Sequence, residues 1–384
     1  MNSFSFSIPQ NIKVGAGSLK LLPSLAKEVG KSKAFIISGP HLNKIGLVKK
    51  CADALADAGI PSASFTETEG NPSVATVEKA TALFQESGAD FIIAFGGGSP
   101  LDVAKAVAVT ASYGGSIVDY EGGGKVPGPV VPMIAIPTTA GTGSEVTAFS
   151  VITDHSRNYK LTVVSNYLLP SYAILDPELI ASVPQSTAAA CGIDAMIHAL
   201  EAYVSKTASP FSDIFAKEAL RLIGGNIRDY VADRSQLPAC EAMLIGSLFA
   251  GIAFSHARLG NVHAMSHPVS AYFNVAHGVA NAILLPLVVD FNKDDADPEK
   301  YKYIYDCICP KEKADQKEFT TDLLAPEIRL LNHELNIPDS LSEVGVESSF
   351  FDAMADDAMK SGNIQVNPRH TDKADILKLY EAAF

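Results

Sequence analysis

Phe91-Ile92-Ile93-Ala94-Phe95-Gly96-Gly97-Gly98-Ser99-Pro100-Leu101-Asp102-Val103-Ala104-Lys105 joins a strand, a glycine turn and a helix in one line. The apolar run at 91–95, rich in β-branched and aromatic side chains, reads as a buried strand. The glycines break the run, and Pro100 is placed to take the first position of a helix that continues through Lys105. Free amides and the dipole at such a helix start favour an anion, and glycines let a pyrophosphate approach the backbone. The spacing is not the Gly-x-Gly-x-x-Gly of a Rossmann turn, and a tight turn of purely structural purpose would use the same residues.

Outward from this junction the first half alternates short apolar and amphipathic stretches. Residues 19–29, 42–58 and 73–87 read as helices, and 33–38, 130–136 and 172–175 as further strands. Such alternation implies a mainly parallel sheet covered on both faces. A second glycine segment, Pro137-Thr138-Thr139-Ala140-Gly141-Thr142-Gly143-Ser144-Glu145-Val146-Thr147, also follows a strand. Its amides and hydroxyls suit a nucleotide lying across the carboxyl ends of the sheet, so the two loops together argue for a dinucleotide. The glycine-rich residues 122–128 fail as a Walker loop, because Lys125 is followed by Val126 rather than by Ser or Thr. After Asp176-Pro177 the pattern becomes helical from 187 to 379, and the boundary is placed at 183/184.

The helical part holds an acid and imidazoles at spacings that suit one metal ion. Asp194 and His198 stand four residues apart and would share a helix face. His263 and His267 repeat the spacing, and His277 precedes Gly278. Nine histidines in 384 residues will sometimes fall this way as ordinary core or helix-face residues. Against that, Gly192 lies in an Ala-rich helical run, where it costs roughly 1 kcal/mol relative to alanine unless close approach requires it. A buried acid among imidazoles needs partners, and a metal would supply one.

A chain of 384 residues exceeds the usual single core, so two domains are expected. Hydrophobic residues make up 47% and charged residues 19%, which is a globular balance with ample core. No uninterrupted apolar run reaches the roughly 20 residues that span a bilayer, and residues 1–10 lack the basic start and apolar core of a secretory leader. A cytoplasmic protein with no membrane partner is expected. The formal charge of −13 repels phosphate backbones, and no basic stripe offsets it, so nucleic acid is not an expected partner. The five cysteines, Cys51, Cys191, Cys240, Cys307 and Cys309, form no regular framework, as in a reducing compartment. Cys307 and Cys309 would hold a soft metal only with further ligands.

Segments 96–105, 137–147, 192–201 and 263–278 together resemble the iron-dependent, group III alcohol dehydrogenases, and the resemblance runs from about Gly15 to Asn367-Pro368-Arg369. It implies an α/β dinucleotide-binding domain with a mainly parallel, Rossmann-like sheet over residues 1–183. It further implies an all-α metal-binding and catalytic domain over 184–384, with the active site in the cleft between them. By position it makes Asp194, His198, His263 and His277 the metal ligands. His267 is left beside the nicotinamide and substrate as the candidate catalytic residue, relaying a proton. Gly39, Asn71, Gly97, Gly98, Ser99, Thr138, Thr139, Thr142, Lys160 and Leu179 are placed around the cofactor. The implied chemistry is hydride transfer between NAD, or alternatively NADP, and a small primary alcohol or aldehyde. The implied ion is Fe²⁺, in a donor set that also admits Mn²⁺ and would hold Zn²⁺ at least as tightly as iron. A homodimer or larger homo-oligomer goes with the resemblance. A lyase of the dehydroquinate synthase type would share the fold, but its site must grip a phosphate and several hydroxyls. No cluster of Lys and Arg accompanies the metal helices to do so.

The chain departs from that family at two places. Gly39-Pro40 stands where many NAD-specific relatives carry an acid, which leaves the choice between NAD and NADP open. In Phe254-Ser255-His256-Ala257-Arg258-Leu259-Gly260, His256 and Arg258 stand where relatives acting on neutral alcohols commonly read Asn and Gly. Both are expected within two helical turns of His263. Phe149, Phe254, His256 and Arg258 make up the candidate substrate contacts. A guanidinium facing inward suits a sulfonate or carboxylate tail, as in sulfoacetaldehyde or succinic semialdehyde. Facing outward, it leaves a neutral ethanol, butanol or propanediol couple.

Overall fold

A computed structural model describes residues 6, 8, 10–310 and 318–384; of the 1–10 stretch read for a leader, residues 1–5, 7 and 9 lie outside that set. The chain divides into two compact units. The first comprises Ile8–Thr139 and Gly143–Ser182, and the second gathers Phe6, Ala140–Thr142 and Val183–Phe384.

The first unit is built on a parallel sheet of β1 (Asn11–Val14), β2 (Ala34–Ile37), β3 (Ser62–Phe65), β4 (Phe91–Gly96), β6 (Met133–Pro137) and β9 (Tyr172–Leu175). Their order across the sheet is β1-β9-β6-β4-β2-β3. The central strands β2, β4 and β6 are buried throughout, as near-continuous apolar runs between two helical layers should be. Ile36 pairs with Ile93 and Ile93 with Ile134, so one apolar row crosses all three strands. That row packs beneath α1 (Leu22–Val29) and α3 (Leu47–Asp57) through Leu22, Leu25, Val48 and Leu55. On the opposite face α4 (Val74–Ser87) and α5 (Gly98–Tyr113) cover Phe35, Ile37, Ile92 and Ala94. The chain runs from β2 out to β3 and returns to β4 on the other side of β2, with α3 and α5 on opposite faces. The β2/β4 boundary is therefore a topological switch point, where open α/β sheets bind ligands at the carboxyl ends of their strands.

Several expectations are corrected. Residues 42–58 form two helices, α2 (Pro40–Lys44) and α3, because the chain turns at Gly46 with φ 82°. The strand expected at 130–136 begins only at Met133, since Pro129 and Pro132 bracket Val130 and Val131 and cannot donate to a ladder. Helix α5 starts at Gly98, which puts Pro100 in its third position rather than its first. A second sheet went unforeseen: β7 (Phe149–Asp154) and β8 (Tyr159–Val164) pair antiparallel, with the short β5 (Gly122–Gly123) beside β8.

The described residues of the second unit carry helices and no strand. At its centre α7 (Gln185–Val204) is buried almost all round, from Ala188 to Tyr203. Around it stand α8 (Pro210–Gly224), α9 (Ile227–Ala232), α10 (Leu237–Ala257) and α12 (His277–Asn292), with α11 (Asn261–Phe273) against α12. The sequence reading found no run able to span a bilayer. Helix α10 is long and apolar enough by length and composition, with a mean hydropathy of 1.7, yet 61% of that window is buried inside the fold against its neighbours.

Candidate metal centre

Helices α7, α11 and α12 each deliver one or more of the foreseen ligands. Asp194 and His198 share a face of α7, at 3% and 5% exposure. His263, 1% exposed, lies in the first turn of α11, and His277 opens α12. Asp194, His263 and His277 each offer one ligand atom, and these atoms lie within 4.8 Å of one another. His263 Nε2 is 3.7 Å from Asp194 Oδ1, and His198 Nδ1 is 3.9 Å from Asp194 Oδ2. The His198 ring stacks between His263 and Phe254, with centroids at 4.5 and 4.6 Å. His267 stands further out, 6.3 Å from the His263 centroid and 5.2 Å from that of His277.

Gly278 makes this convergence sterically feasible, and Gly192 lets α9 and α10 close on α7. A β-carbon on Gly278 would collide with the Ala190 carbonyl, so the start of α12 can press against α7 only with glycine there. One on Gly192 would sit 3.0 Å from Met243 Cε and 3.2 Å from Ile227 Cδ1, which is the close approach its position had suggested.

The electrostatics favour positive charge at the centre. Burial acts to raise the Asp194 carboxyl pKa, but the facing imidazoles of His198, His263 and His277 outweigh it and hold the group well below the usual carboxylate range. Burial pulls His263 down, yet the Asp194 and Glu201 carboxylates facing its two ring nitrogens prevail and raise it to about 9, so this imidazole holds a positive charge that a bound ion would replace. Burial lowers His198 to about 4 despite Asp194. The buried His198 Nδ1 has no hydrogen-bond partner among the described residues, and such an orphan costs about 1–3 kcal/mol, which coordination would relieve. One carboxylate with imidazoles, His263 giving up its Nε2 proton as an ion binds, is a donor set that fits a divalent transition ion.

The sequence reading missed two residues that complete the site. Glu201 Oε2 lies 2.6 Å from His263 Nδ1, and its Oε1 accepts the Val262 amide at 2.7 Å. Asn281 Nδ2 donates to Asp194 Oδ1 at 2.6 Å and stands 3.1 and 3.2 Å from the Nε2 atoms of His263 and His277. Both lie on faces already marked out, Glu201 seven residues after Asp194 and Asn281 four after His277.

In the first unit the foreseen cofactor residues gather along the carboxyl ends of the parallel strands. Gly39 follows β2, Asn71 lies between β3 and α4, Gly97, Gly98 and Ser99 follow β4, Thr138 and Thr139 follow β6, and Leu179 follows β9. Ser99 Oγ donates to the Gly70 carbonyl at 2.7 Å, and Lys160, on β8, donates to Asn71 Oδ1 at 3.0 Å. Thr142 comes next in the loop after β6 and falls within the segment grouped with the second unit. Lys105, 1% exposed, donates to Ser144 Oγ and the Phe149 carbonyl, both at 2.8 Å, and to the Thr147 carbonyl at 2.9 Å. The helix after the first glycine turn is thereby tied to the loop containing the second. Burial drives Lys105 down to about 8 and the neighbouring Glu145 up to about 7.

The substrate candidates have different neighbours, each within its own unit. Phe254 covers His198, whereas His256 packs on Phe6 with centroids at 4.4 Å, and Phe149 opens β7 half-buried. Arg258 is exposed, with its guanidinium pressed against Gly362. The expectation that His256 and Arg258 lie within two helical turns of His263 fails, because α10 ends at Ala257 and α11 starts only at Asn261. Arg258 occupies the break with φ 61°, so helical spacing does not carry across it.

Comparison with known proteins decides the family. The iron-containing alcohol dehydrogenase profile matches residues 9–177, and the C-terminal profile of the Fe-containing alcohol dehydrogenases matches residues 188–384. The chain belongs to the iron-containing alcohol dehydrogenases. Like the rest of that family it is an oxidoreductase acting on CH–OH groups. It is 37% identical to the 1,3-propanediol dehydrogenase of Citrobacter freundii, over 99% of each chain. It is 34% identical to the NAD-dependent methanol dehydrogenase of Bacillus methanolicus, again over 99% of each. Among solved structures of this family, the sulfoacetaldehyde reductase of Bifidobacterium kashiwanohense in complex with NAD⁺ superposes with a TM-score of 0.87 at 28% identity, over 100% of this chain and 99% of that one.

Proposed function

We propose that this alcohol dehydrogenase interconverts a short, neutral primary alcohol and its aldehyde, with NAD as the hydride carrier and Fe²⁺ held by Asp194, His198, His263 and His277. The observation that carries the reading is the convergence of buried Asp194 and His263 and half-buried His277 onto one point. When bound there, a divalent ion lowers the pKa of an alcohol and polarises an aldehyde carbonyl. The protein supplies the rest. Asp194 and the imidazoles hold the ion, and Phe254 walls the site beside His198 with an apolar ring. His267, half-buried and outside the ligand cluster, is the proton relay. Residues 1–183 form the nucleotide-binding domain and use Gly39, Asn71, Gly97, Gly98, Ser99, Thr138, Thr139, Thr142, Lys160 and Leu179. Residues 184–384 form the metal-binding domain. With no carboxylate at Gly39 to repel a 2′-phosphate, NADPH is tolerated alongside NADH. The enzyme works in the cytoplasm as a homodimer or larger homo-oligomer.

A second reading, an aldehyde with an anionic tail, is favoured by Arg258. This cation stands in a backbone conformation that suits glycine, and a sulfoacetaldehyde reductase is among the structural relatives. A panel of short neutral and anionic aldehydes, assayed with NADH and NADPH after loading with Fe²⁺, Zn²⁺ or Mn²⁺, tests both readings. Metal-dependent NADH oxidation by neutral aldehydes is expected, and it should vanish in Asp194→Ala and His263→Ala together with metal retention. Full metal occupancy and full turnover in either variant would remove the ligand assignment.

A further inference from the structure

We propose that Glu201 is a positioning residue of the metal centre, fixing His263 in the tautomer that turns the Nε2 lone pair toward the ion. The proposal rests on reading Asp194, His263 and His277 as ligands.

Glu201 is 4% exposed, and both of its carboxylate oxygens meet nitrogen atoms of α11. Oε1 takes the Val262 amide at 2.7 Å, one of the first-turn donors that a helix cannot satisfy internally. Oε2 sits 2.6 Å from His263 Nδ1. A carboxylate accepts, so Nδ1 keeps the proton, and in the neutral imidazole that ligates a metal it is Nε2 that carries the lone pair. Nε2 is the atom that faces Asp194 Oδ1 at 3.7 Å, with Asn281 Nδ2 3.1 Å away. A single side chain of α7 therefore sets both the start of α11 and the orientation of its ligand. The same turn is held from behind: the Asn261 amide donates to Asn367 Oδ1 at 3.3 Å, and Asn367 Nδ2 donates to Asn292 Oδ1 at 2.7 Å. Partners of this kind around a ligating histidine are typically worth about 10–100-fold in metal affinity.

The test uses the full chain, stripped with a chelator and titrated with Zn²⁺ against a chromophoric competitor, for the parent, Glu201→Gln, Glu201→Ala and, as a control, Asp194→Ala. Glu201→Gln has the parent volume but offers one acceptor to two N–H donors, and it carries the test should Glu201→Ala not fold. Folded Glu201→Gln is expected to bind Zn²⁺ about 10–100-fold more weakly than the parent. The imidazole ¹⁵N shifts of its zinc-loaded form should show the His263 Nδ1 hydrogen bond lost, a signature that a general loss of stability would not produce. Parent affinity and parent ¹⁵N shifts in Glu201→Gln, with affinity lost in Asp194→Ala, would overturn the role of Glu201 and leave the ligand reading standing. A parent that takes up no zinc would overturn both.

Discussion

Gly278 approaches the carbonyl of Ala190 so closely that no β-carbon fits between them. Ala190 lies one turn before Asp194 on α7, and Gly278 follows His277, so this contact sets how near Asp194 and His277 come. Gly278→Ala must push α12 away from α7. Overpacking of this kind costs about 1–3 kcal/mol. The expected outcome is a lower melting temperature together with substoichiometric metal after desalting, measured by elemental analysis. Affinity for NADH, proposed to come from the loops after β2, β4 and β6, should be unchanged.

Asn281 tests whether the amide at the heart of the cluster serves the ion. Asn281→Ala leaves the buried Asp194 Oδ1 without its 2.6 Å donor, which costs about 1–3 kcal/mol of stability. Asn281→Asp instead places a second acid against Asp194. Its metal-free form should melt below the parent, and saturating Zn²⁺ should raise its melting temperature by more than the parent's, because like charges at one site repel until a cation joins them. Equal zinc-induced shifts in parent and variant would separate Asn281 from the metal.

Glu145 makes stability depend on pH. Burial holds its carboxyl up at about 7 against an ordinary 4.5, so between those values the folded protein keeps a proton that the unfolded chain has lost. The resulting stabilisation is fully present below 4.5 and is lost as pH rises through 7. Glu145→Gln removes the titration. Its melting temperature should therefore gain on the parent's between pH 5 and pH 8, by an amount equivalent to roughly 3 kcal/mol at most, at 1.36 kcal/mol per unit. A constant difference across that range would show that Glu145 does not titrate there.

How much of this was legible in the sequence depended on burial. Strands at 91–96 and 172–175 announced themselves because both faces of the sheet are covered and the runs are apolar. At the two edges the signal was weak: β1 reads Asn-Ile-Lys-Val and β3 Ser-Ala-Ser-Phe, each with exposed positions, and both went unread. At the candidate metal centre, the shared helix faces of Asp194 with His198, and the nearby histidines, were readable from spacing. Glu201 obeys the same periodicity but is one acid among 43, and nothing local separates it from a solvated one. Asn281 is an amide inside an apolar helix and becomes meaningful only once α12 is seen against α7. The break at Arg258 was hidden because Phe254 to Gly260 carries no proline, and Gly260 alone hinted that α10 would end before His263.

Arg258 separates the two substrate readings. With φ 61° and ψ −176° it lies in a region that is nearly exclusive to glycine, and a side-chain-bearing residue there stores about 1–3 kcal/mol. Arg258→Gly relieves that strain but adds freedom to the unfolded chain, worth about 0.5–1 kcal/mol, so a net gain in melting temperature is expected. Arg258→Ala keeps a β-carbon and should show no gain. Both variants lose the guanidinium, which lets charge be judged apart from backbone. Because Arg258 is exposed, an ion pair it made with a substrate tail would be screened and worth only about 0.2–1 kcal/mol. Both variants are therefore expected to keep parent kcat/KM for neutral aldehydes and to change it by less than about tenfold, or 1.4 kcal/mol, for sulfoacetaldehyde and succinic semialdehyde. A larger loss in both variants, confined to the anionic aldehydes, would mean that the guanidinium swings from Gly362 to grip the substrate in a water-poor site. The anionic class would then replace the neutral one.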